Sequence, residues 1–187
     1  MDKKDKAYHH GNLKNEMIEA GLKYIDEHGV DDLSMRKLAD ICGVSSAAPY
    51  AHFENKQAFI DAVQEHITNL FTSELQKAIA KCKDPQKILL DIGVAYVMFF
   101  YKDPLYYSFL FAHGTIDLKT YPPYLIFTEI ATKTLEATGT KEEDMRNKSI
   151  ALWSMVHGLS GIALMKGVVD KKRIRKDIEG ILGSIAL

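Results

Sequence analysis

The chain has 187 residues, of which 47% are hydrophobic and 26% charged, and its formal net charge at pH 7 is −1. This hydrophobic content supports a packed core and excludes a disordered chain. Two cysteines are too few for a disulfide scaffold, and the first residues lead into no apolar secretory signal, so we expect reduced thiols in a cytoplasmic protein. The longest apolar run, residues 88–101, is too short to span a membrane.

The N-terminal third of the sequence predicts three helices. A charged arm over residues 1–8 precedes a helix from Asn12 to His28, and two short helices follow over residues 34–41 and 45–52. Apolar side chains at positions 35, 38, 39 and 42 have the i, i+3, i+4, i+7 spacing of one helical face. Ser34 is placed as an N-cap, and Gly43 permits the left-handed backbone of a sharp turn. Such a pair of helices is typical of a helix-turn-helix that reads DNA.

The rest of the chain predicts six further helices and no strands, so the fold class is all-α with about nine helices. A long helix over residues 56–82 carries an apolar stripe at 3.6-residue spacing. Pro85, Pro104 and the Pro122–Pro123 pair are placed in first turns, which suit proline. The predicted ranges after the long helix are 84–102, 103–113, 122–138, 141–167 and 171–185.

Three segments of the N-terminal third carry a family resemblance. They are Glu27-His28-Gly29-Val30 with Leu33-Ser34-Met35-Arg36, then Gly43-Val44-Ser45, then Tyr50-Ala51-His52-Phe53 with Lys56 after it. From about residue 8 to about residue 63 the sequence resembles the TetR family of bacterial transcriptional regulators. The stretch Trp153-Ser-Met-Val-His157-Gly158 and the Ala47-Ala48-Pro49-Tyr50 variant resemble one subgroup of that family with a Trp, His-Gly signature.

The resemblance implies a DNA-binding domain over residues 1–55 and a helical effector-binding and dimerisation domain over residues 56–187. Matching family positions give the candidate DNA-binding residues Ser34, Arg36, Ser45, Ser46, Ala47, Ala48, Tyr50, His52 and Lys56. The alternative for the second short helix is an ordinary capped surface helix with Tyr50 packed into the core. Residues 1–60 hold eight basic and ten acidic side chains, a net of −2, which argues mildly against DNA binding.

Aromatic side chains are abundant in the C-terminal two thirds. Trp153 and His157 are four residues apart and share a helical face. A pocket lined by aromatic rings and a few polar groups suits a small apolar or aromatic effector; the alternative is that these rings only form the core. The candidate ligand-binding residues are Tyr96, Phe99, Phe100, Tyr107, Phe111, Trp153 and His157.

No phosphate-binding glycine loop, metal-ligand spacing or catalytic motif occurs in the sequence. We therefore expect no enzyme, no cofactor and no metal. The resemblance implies a homodimeric, ligand-responsive regulator, expected to be a repressor, that binds a palindromic operator in double-stranded DNA and pairs through its last two helices. The competing hypothesis is a helical dimeric scaffold that binds a protein or a lipid without specific DNA recognition.

Overall fold

The computed structural model of the chain describes residues 13–113, 116–165, 167–170 and 172–184. These residues form eight α-helices and no strand, which confirms the predicted all-α class. The charged arm, Asn12, Lys171 and Ile185 lie outside the described residues. The helices are α1 (Leu13–His28), α2 (Met35–Cys42), α3 (Lys56–Lys81), α4 (Ile88–Lys102), α5 (Pro104–Ser108), α6 (Pro122–Ala137), α7 (Glu142–Ala163) and α8 (Ile174–Gly183).

The chain divides into two compact units, Met1–His66 and Ile67–Leu187. In the first unit, α2 begins and ends where the sequence predicts. The Ser34 hydroxyl oxygen accepts a hydrogen bond from the Lys37 N–H at 3.1 Å, and Gly43 ends the helix with φ of 65°. Met17, Leu38 and Phe59 are fully buried and form the centre of this unit.

The predicted α-helix over residues 45–52 is wrong. The structure has a tight turn followed by a four-residue 3-10 helix, Ala48–Ala51, and no side chain caps it. Pro49 is the physical reason, because it lacks the N–H that would reach the Ser45 carbonyl, and its ring would press on that carbonyl. The Ala48 N–H bonds to the Ser45 carbonyl instead, at 2.9 Å, in a tighter i, i+3 pattern. Residues 45–52 are called the recognition segment below.

The second unit is built around α4, as its apolar sequence predicts. Helices α6, α7 and α8 pack against α4, whose Ile92, Tyr96 and Phe100 side chains are fully buried. Gly93 permits the close approach of α8, since a Cβ added there would lie 3.1 Å from the Leu182 Cδ1 atom. No helix among the described residues combines the length and the apolar character needed to cross a bilayer.

Several element ends differ from the sequence prediction. The predicted helix over 103–113 is a five-residue α5 that widens into one π-helical turn, Phe109–His113. Helix α7 ends at Ala163 rather than at Gly167, and α8 spans only Ile174–Gly183. Leu70 lies on the apolar stripe that the sequence predicts for α3, but it is 38% exposed.

Candidate nucleic-acid interface and aromatic cluster

The recognition segment presents small polar and apolar side chains to solvent. Ser45, Ser46 and Ala47 are exposed, and Ala48 is half-buried. Tyr50 is 58% exposed, so it is not part of the core as the alternative interpretation had it. The exposed phenol can therefore reach a ligand outside the protein.

Two buried residues hold the recognition segment in place. Pro49 is buried, and Phe53 is 3% exposed with its ring edge-on to Phe59, at 5.1 Å between centroids. The three-residue spacing of Tyr50 and Phe53 predicts that both rings pack on the inner face of a helix, but the structure buries only Phe53. The 3-10 helix ends at Ala51, before Phe53, so the two rings do not share one regular helical face.

The other candidate residues are exposed or half-buried at the neighbouring helix starts. Ser34 and Arg36 are exposed at the start of α2, while His52 and Lys56 are half-buried before and at the start of α3. The Ser34 oxygen caps α2, and its hydroxyl hydrogen can still donate to a phosphate. The Lys56 ammonium group donates to the Asp31 carbonyl oxygen at 3.1 Å, which directs its flexible stem.

A further cluster beside this surface went unnoticed in the sequence. The Lys37 ammonium group lies 2.5 Å from an Asp32 carboxylate oxygen and 5.1 Å from the centre of the Tyr24 ring. The Tyr24 hydroxyl donates to the same carboxylate oxygen. A five-residue separation across a turn is not a helical spacing, so no periodicity in the sequence could reveal the contact.

The seven candidate ligand-binding residues do come together in the second unit. Each ring touches at least one other, and Phe71 of α3 joins them, stacked on Phe99 and edge-on to Tyr96 at centroid distances of 5.0 and 4.8 Å. Trp153 of α7 stands edge-on to Tyr96 at 4.9 Å. This group is called the aromatic cluster below, and it consists of Phe71, Tyr96, Phe99, Phe100, Tyr107, Phe111, Trp153 and His157.

His157 is the polar centre of the aromatic cluster. The Tyr96 hydroxyl lies 3.2 Å from its Nδ1 atom, and the Tyr107 hydroxyl lies 3.5 Å from its Nε2 atom and 3.3 Å from its carbonyl oxygen. A neutral ring protonated at Nε2 satisfies all three contacts, with Tyr96 donating to Nδ1 and Tyr107 donating to the carbonyl. Burial lowers the pKa of His157 below its usual value, which favours this neutral form.

Two buried hydroxyls near the same core, those of Tyr121 and Ser149, make no hydrogen bond of good geometry among the described residues, and the Thr68 side chain is the neighbour of the Tyr121 hydroxyl. Burial raises the pKa of Tyr121 and of Tyr96, so both phenols stay protonated and can donate. An unpaired buried hydroxyl costs free energy, about 1–3 kcal/mol in proteins. A bound molecule that reached such a group would recover part of this cost.

The interior of the aromatic cluster is filled by its own rings. Tyr96 and Phe100 are fully buried, whereas His157, Tyr107 and Phe111 are half-buried at its outer end. An open groove of about 520 Å³ lies between α3 and α4, and half of its lining residues are charged. Phe99 is the candidate residue that borders it.

Both cysteines are free thiols, as expected, and both are half-buried. The described residues contain no group of three or more histidine, cysteine or acidic side chains placed to hold a metal ion.

The comparisons with known proteins agree with this architecture. Residues 17–63 match the family model described as bacterial regulatory proteins, tetR family. The tetracycline repressor protein class A from transposon 1721 of Escherichia coli is 49% identical over 51 residues, which are 27% of this chain and 24% of the repressor. The chain thus matches about a quarter of the length of such curated relatives.

Solved structures match the fold over nearly the whole chain. The TetR family regulator PfmR from Thermus thermophilus has a TM-score of 0.68 at 21% identity, covering 91% of this chain and 99% of PfmR. AibR in complex with isovaleryl coenzyme A and operator DNA has a TM-score of 0.67 at 16% identity, covering 90% and 96% of the two chains. At such identities the likeness concerns the fold alone, and the resemblance of residues 153–158 to a subgroup is not confirmed. The N-terminal unit thus matches the tetR family of bacterial regulatory proteins in sequence, and nearly the whole chain matches solved structures in fold.

Proposed function

We propose that the chain is a homodimeric DNA-binding transcriptional regulator, a repressor whose affinity for a palindromic operator responds to a small effector. The observation that carries the proposal is the exposed recognition segment, in which a buried Pro49 and Phe53 hold small side chains and Tyr50 towards solvent. The match to the family model supports the same function. We also propose that the protein is cytoplasmic and has no catalytic role.

The recognition segment would read DNA mainly through shape. It contains no Arg, Asn or Gln for a bidentate base contact, whereas its serines can hydrogen-bond several bases and its alanines can pack on thymine methyl groups. Tyr50, His52, Ser34 and Lys56 would hold phosphates and fix the register, with Arg36 beside them. Sequence preference should therefore arise largely from the deformability and groove width of the operator.

An exposed stripe of small and apolar residues on α7 supports dimerisation. Ile150, Ser154, Gly158 and Ile162 follow one another at four-residue spacing, and all four are exposed. A Cβ added at Gly158 would meet nothing within 4 Å, so this position leaves room for a second helix. Two exposed isoleucines separated by small residues leave room for a second helix to pack closely, and a two-fold pairing of the last two helices would bury them against their mates.

Gly161, which also lies on α7, faces a helix of its own chain. A Cβ at this position would lie 3.0 Å from the Tyr107 hydroxyl of the same chain. The glycine therefore accommodates α5 within the protomer, and Ile162 is the sharper probe of the dimer.

We propose the aromatic cluster as the effector site. Its outer end combines the half-buried rings of Tyr107 and Phe111 with His157, a polar group that can donate or accept. The filled interior means that a ligand would have to displace rings, as happens in a pocket that opens on binding. Such a ligand would be small and apolar or aromatic, with one hydrogen-bonding group. AibR, a fold relative, was solved in complex with isovaleryl coenzyme A and operator DNA.

The experiment is a pair of titrations on the wild-type protein. Fluorescence anisotropy with labelled duplex measures DNA binding, and Lys56→Ala should weaken it and make its salt dependence shallower. A compound library is then screened for compounds that alter Trp153 emission and shift operator affinity by about 1–3 kcal/mol. The Trp153 indole touches Tyr96, Tyr124 and Phe127 at 4.9–5.4 Å, so a displaced ring changes its surroundings.

Two results separate this proposal from the scaffold hypothesis. A dimer that binds no duplex at low salt, and whose Lys56→Ala variant behaves identically, would favour the scaffold. A compound that changes operator affinity but leaves both Trp153 emission and the response of His157→Ala unchanged would move the effector site elsewhere.

A further inference from the structure

The turn between α1 and α2 gathers two lysines beside the proposed DNA surface. Lys37 of α2 donates to the Asp32 carboxylate at 2.5 Å and to the Asp32 carbonyl at 3.5 Å. Lys56, at the start of α3, donates to the carbonyl of the preceding residue, Asp31, at 3.1 Å. Two adjacent residues of one turn therefore hold the ammonium groups of two different helices.

Lys37 and Lys56 differ in how far their positive charge is neutralised by their hydrogen-bond partners. A backbone carbonyl is neutral, so Lys56 keeps its full positive charge while the Asp31 carbonyl directs it. Lys37 is bound to a carboxylate, which cancels its charge at a distance. The Asp31 carboxylate forms no ion pair with any residue that the structure describes, so the neutralisation is specific to the Asp32–Lys37 pair.

Tyr24 strengthens the hold on Lys37. Its hydroxyl donates to the same carboxylate oxygen that Lys37 contacts, and the Lys37 ammonium lies 5.1 Å from the centre of its ring. These hydrogen bonds lower the pKa of the Asp32 carboxyl and raise the pKa of Lys37, so both groups stay charged across the physiological range. The three side chains form a closed unit on the surface of the first unit.

We infer that Asp32 competes with DNA phosphate for Lys37 and so holds DNA affinity below the level that the lysines of α2 and α3 could give. The inference rests on the proposed DNA-binding function. It assigns a restraining role to an acidic residue of the α1–α2 turn and a latent phosphate-binding role to Lys37.

Counterion release gives the inference its magnitude. A cation that neutralises a DNA phosphate contributes about 0.9 to the slope of log affinity against log salt concentration. While Lys37 stays with Asp32, it contributes nothing to that slope. If Lys37 moves to a phosphate, Asp32 is left uncompensated beside a polyanion. Both routes reduce affinity, but only the first predicts that removal of Asp32 steepens the slope, and the contact between Lys37 and Asp32 favours the first.

The test replaces Asp32 with its uncharged isostere, Asp32→Asn. Asparagine keeps the shape and can still accept a hydrogen bond from Tyr24, while the ion pair with Lys37 is lost. The control is Asp31→Asn, which removes the same charge from the neighbouring residue and leaves the backbone carbonyl that holds Lys56. The probe is a labelled 30-base-pair duplex of mixed sequence, titrated by anisotropy at several salt concentrations, with thermal melts to check that each variant is folded.

Asp32→Asn should steepen the slope of log affinity against log salt concentration by about 0.9 per protomer. If the variant and the wild type have equal DNA affinity at 1 M salt, this slope gives the variant about eightfold higher affinity per protomer at 0.1 M salt. Asp31→Asn should change affinity less and leave the slope as it is. Lys37→Ala should cost little in the wild type and most of the gain in the Asp32→Asn background, since the double-mutant cycle isolates the pair.

Three outcomes would overturn the inference. Equal effects of Asp32→Asn and Asp31→Asn on DNA affinity would mean that only the net charge matters and not the ion pair between Asp32 and Lys37. Weaker binding by folded Asp32→Asn would mean that Asp32 positions Lys37 for DNA. If the wild type and Asp32→Asn both fail to bind any duplex, the proposed function fails as well, so the two failures can be told apart.

Discussion

Tyr50 and Phe53 are neighbouring aromatic residues with opposite exposure, and truncating each to alanine separates DNA binding from folding. Phe53 is 3% exposed and packs edge-on against Phe59, whereas Tyr50 is 58% exposed. Phe53→Ala should destabilise the protein by about 3–5 kcal/mol, the usual cost of removing a buried ring. Tyr50→Ala should cost on the order of 1 kcal/mol, because less than half of its side chain leaves water on folding.

The effect on DNA binding should be the reverse for folded protein. A Tyr50 hydroxyl bound to a phosphate contributes about 1.5–3 kcal/mol, so its loss weakens binding by roughly 10- to 100-fold per protomer. Tyr50→Phe removes only the hydroxyl, and it should reproduce most of that loss with no measurable change in stability.

The assay combines urea unfolding followed by circular dichroism with anisotropy titrations of the same protein samples. If folded Tyr50→Ala and Tyr50→Phe both bind duplex as tightly as the wild type, the recognition segment is not the DNA surface. If Tyr50→Ala instead destabilises the protein as much as Phe53→Ala, the exposure of Tyr50 in the structure is wrong.

Three further changes test other parts of the account. Ile162→Glu should give a folded monomer in sedimentation experiments, because its exposed side chain belongs to the proposed two-fold interface. Gly161→Glu should also lower the thermal midpoint, because the new side chain would clash with Tyr107 of its own chain. A dimeric Ile162→Glu variant would contradict the interface. Gly43→Ala should cost about 1 kcal/mol in urea unfolding through backbone strain alone, since φ is 65° and a Cβ there meets nothing within 4 Å; a stabilised variant would refute the strain. Burial lowers the pKa of His157, so the neutral ring stabilises the folded protein above about pH 6.5, and this contribution is lost as pH falls through the folded pKa. His157→Gln should therefore flatten the fall in thermal midpoint below pH 6.5. An unchanged pH profile would show that the aromatic cluster does not depend on a neutral His157.

The sequence predicted those parts of the fold that depend on local periodicity. The apolar faces of α1, α2 and α4 and the turn at Gly43 follow from spacing and from the backbone freedom of one residue. The recognition segment could not be predicted in the same way, because residues 45–52 have acceptable helical spacing and only the missing N–H of Pro49 decides between an α-helix and a 3-10 turn. In this segment the missing N–H of Pro49 has a larger effect on the backbone than the helical spacing of the side chains.

The contacts at the candidate sites also differ in whether a local sequence pattern could predict them. Family positions named Tyr50 as a candidate, although its spacing placed it with Phe53 towards the core, and the structure exposes it. Several rings of the aromatic cluster lie on regular helical spacing, which the sequence shows. It missed the pairing of Asp32 with Lys37 and the part played by Gly161 against Tyr107. These contacts join different elements, so they depend on how the helices and turns pack, which no local pattern encodes.

The most direct test of the central claim is selection of bound duplexes from a random DNA library by the wild-type protein, followed by sequencing. A dimer that reads DNA through two recognition segments should enrich a two-fold symmetric motif, with half-sites centred about one helical turn, roughly 34–36 Å, apart or a multiple of that distance. Tyr50→Ala, tested in parallel, should lose the enrichment. A wild-type pool that matches the pool carried through without protein, or a folded Tyr50→Ala variant that selects the same motif with equal strength, would contradict the claim.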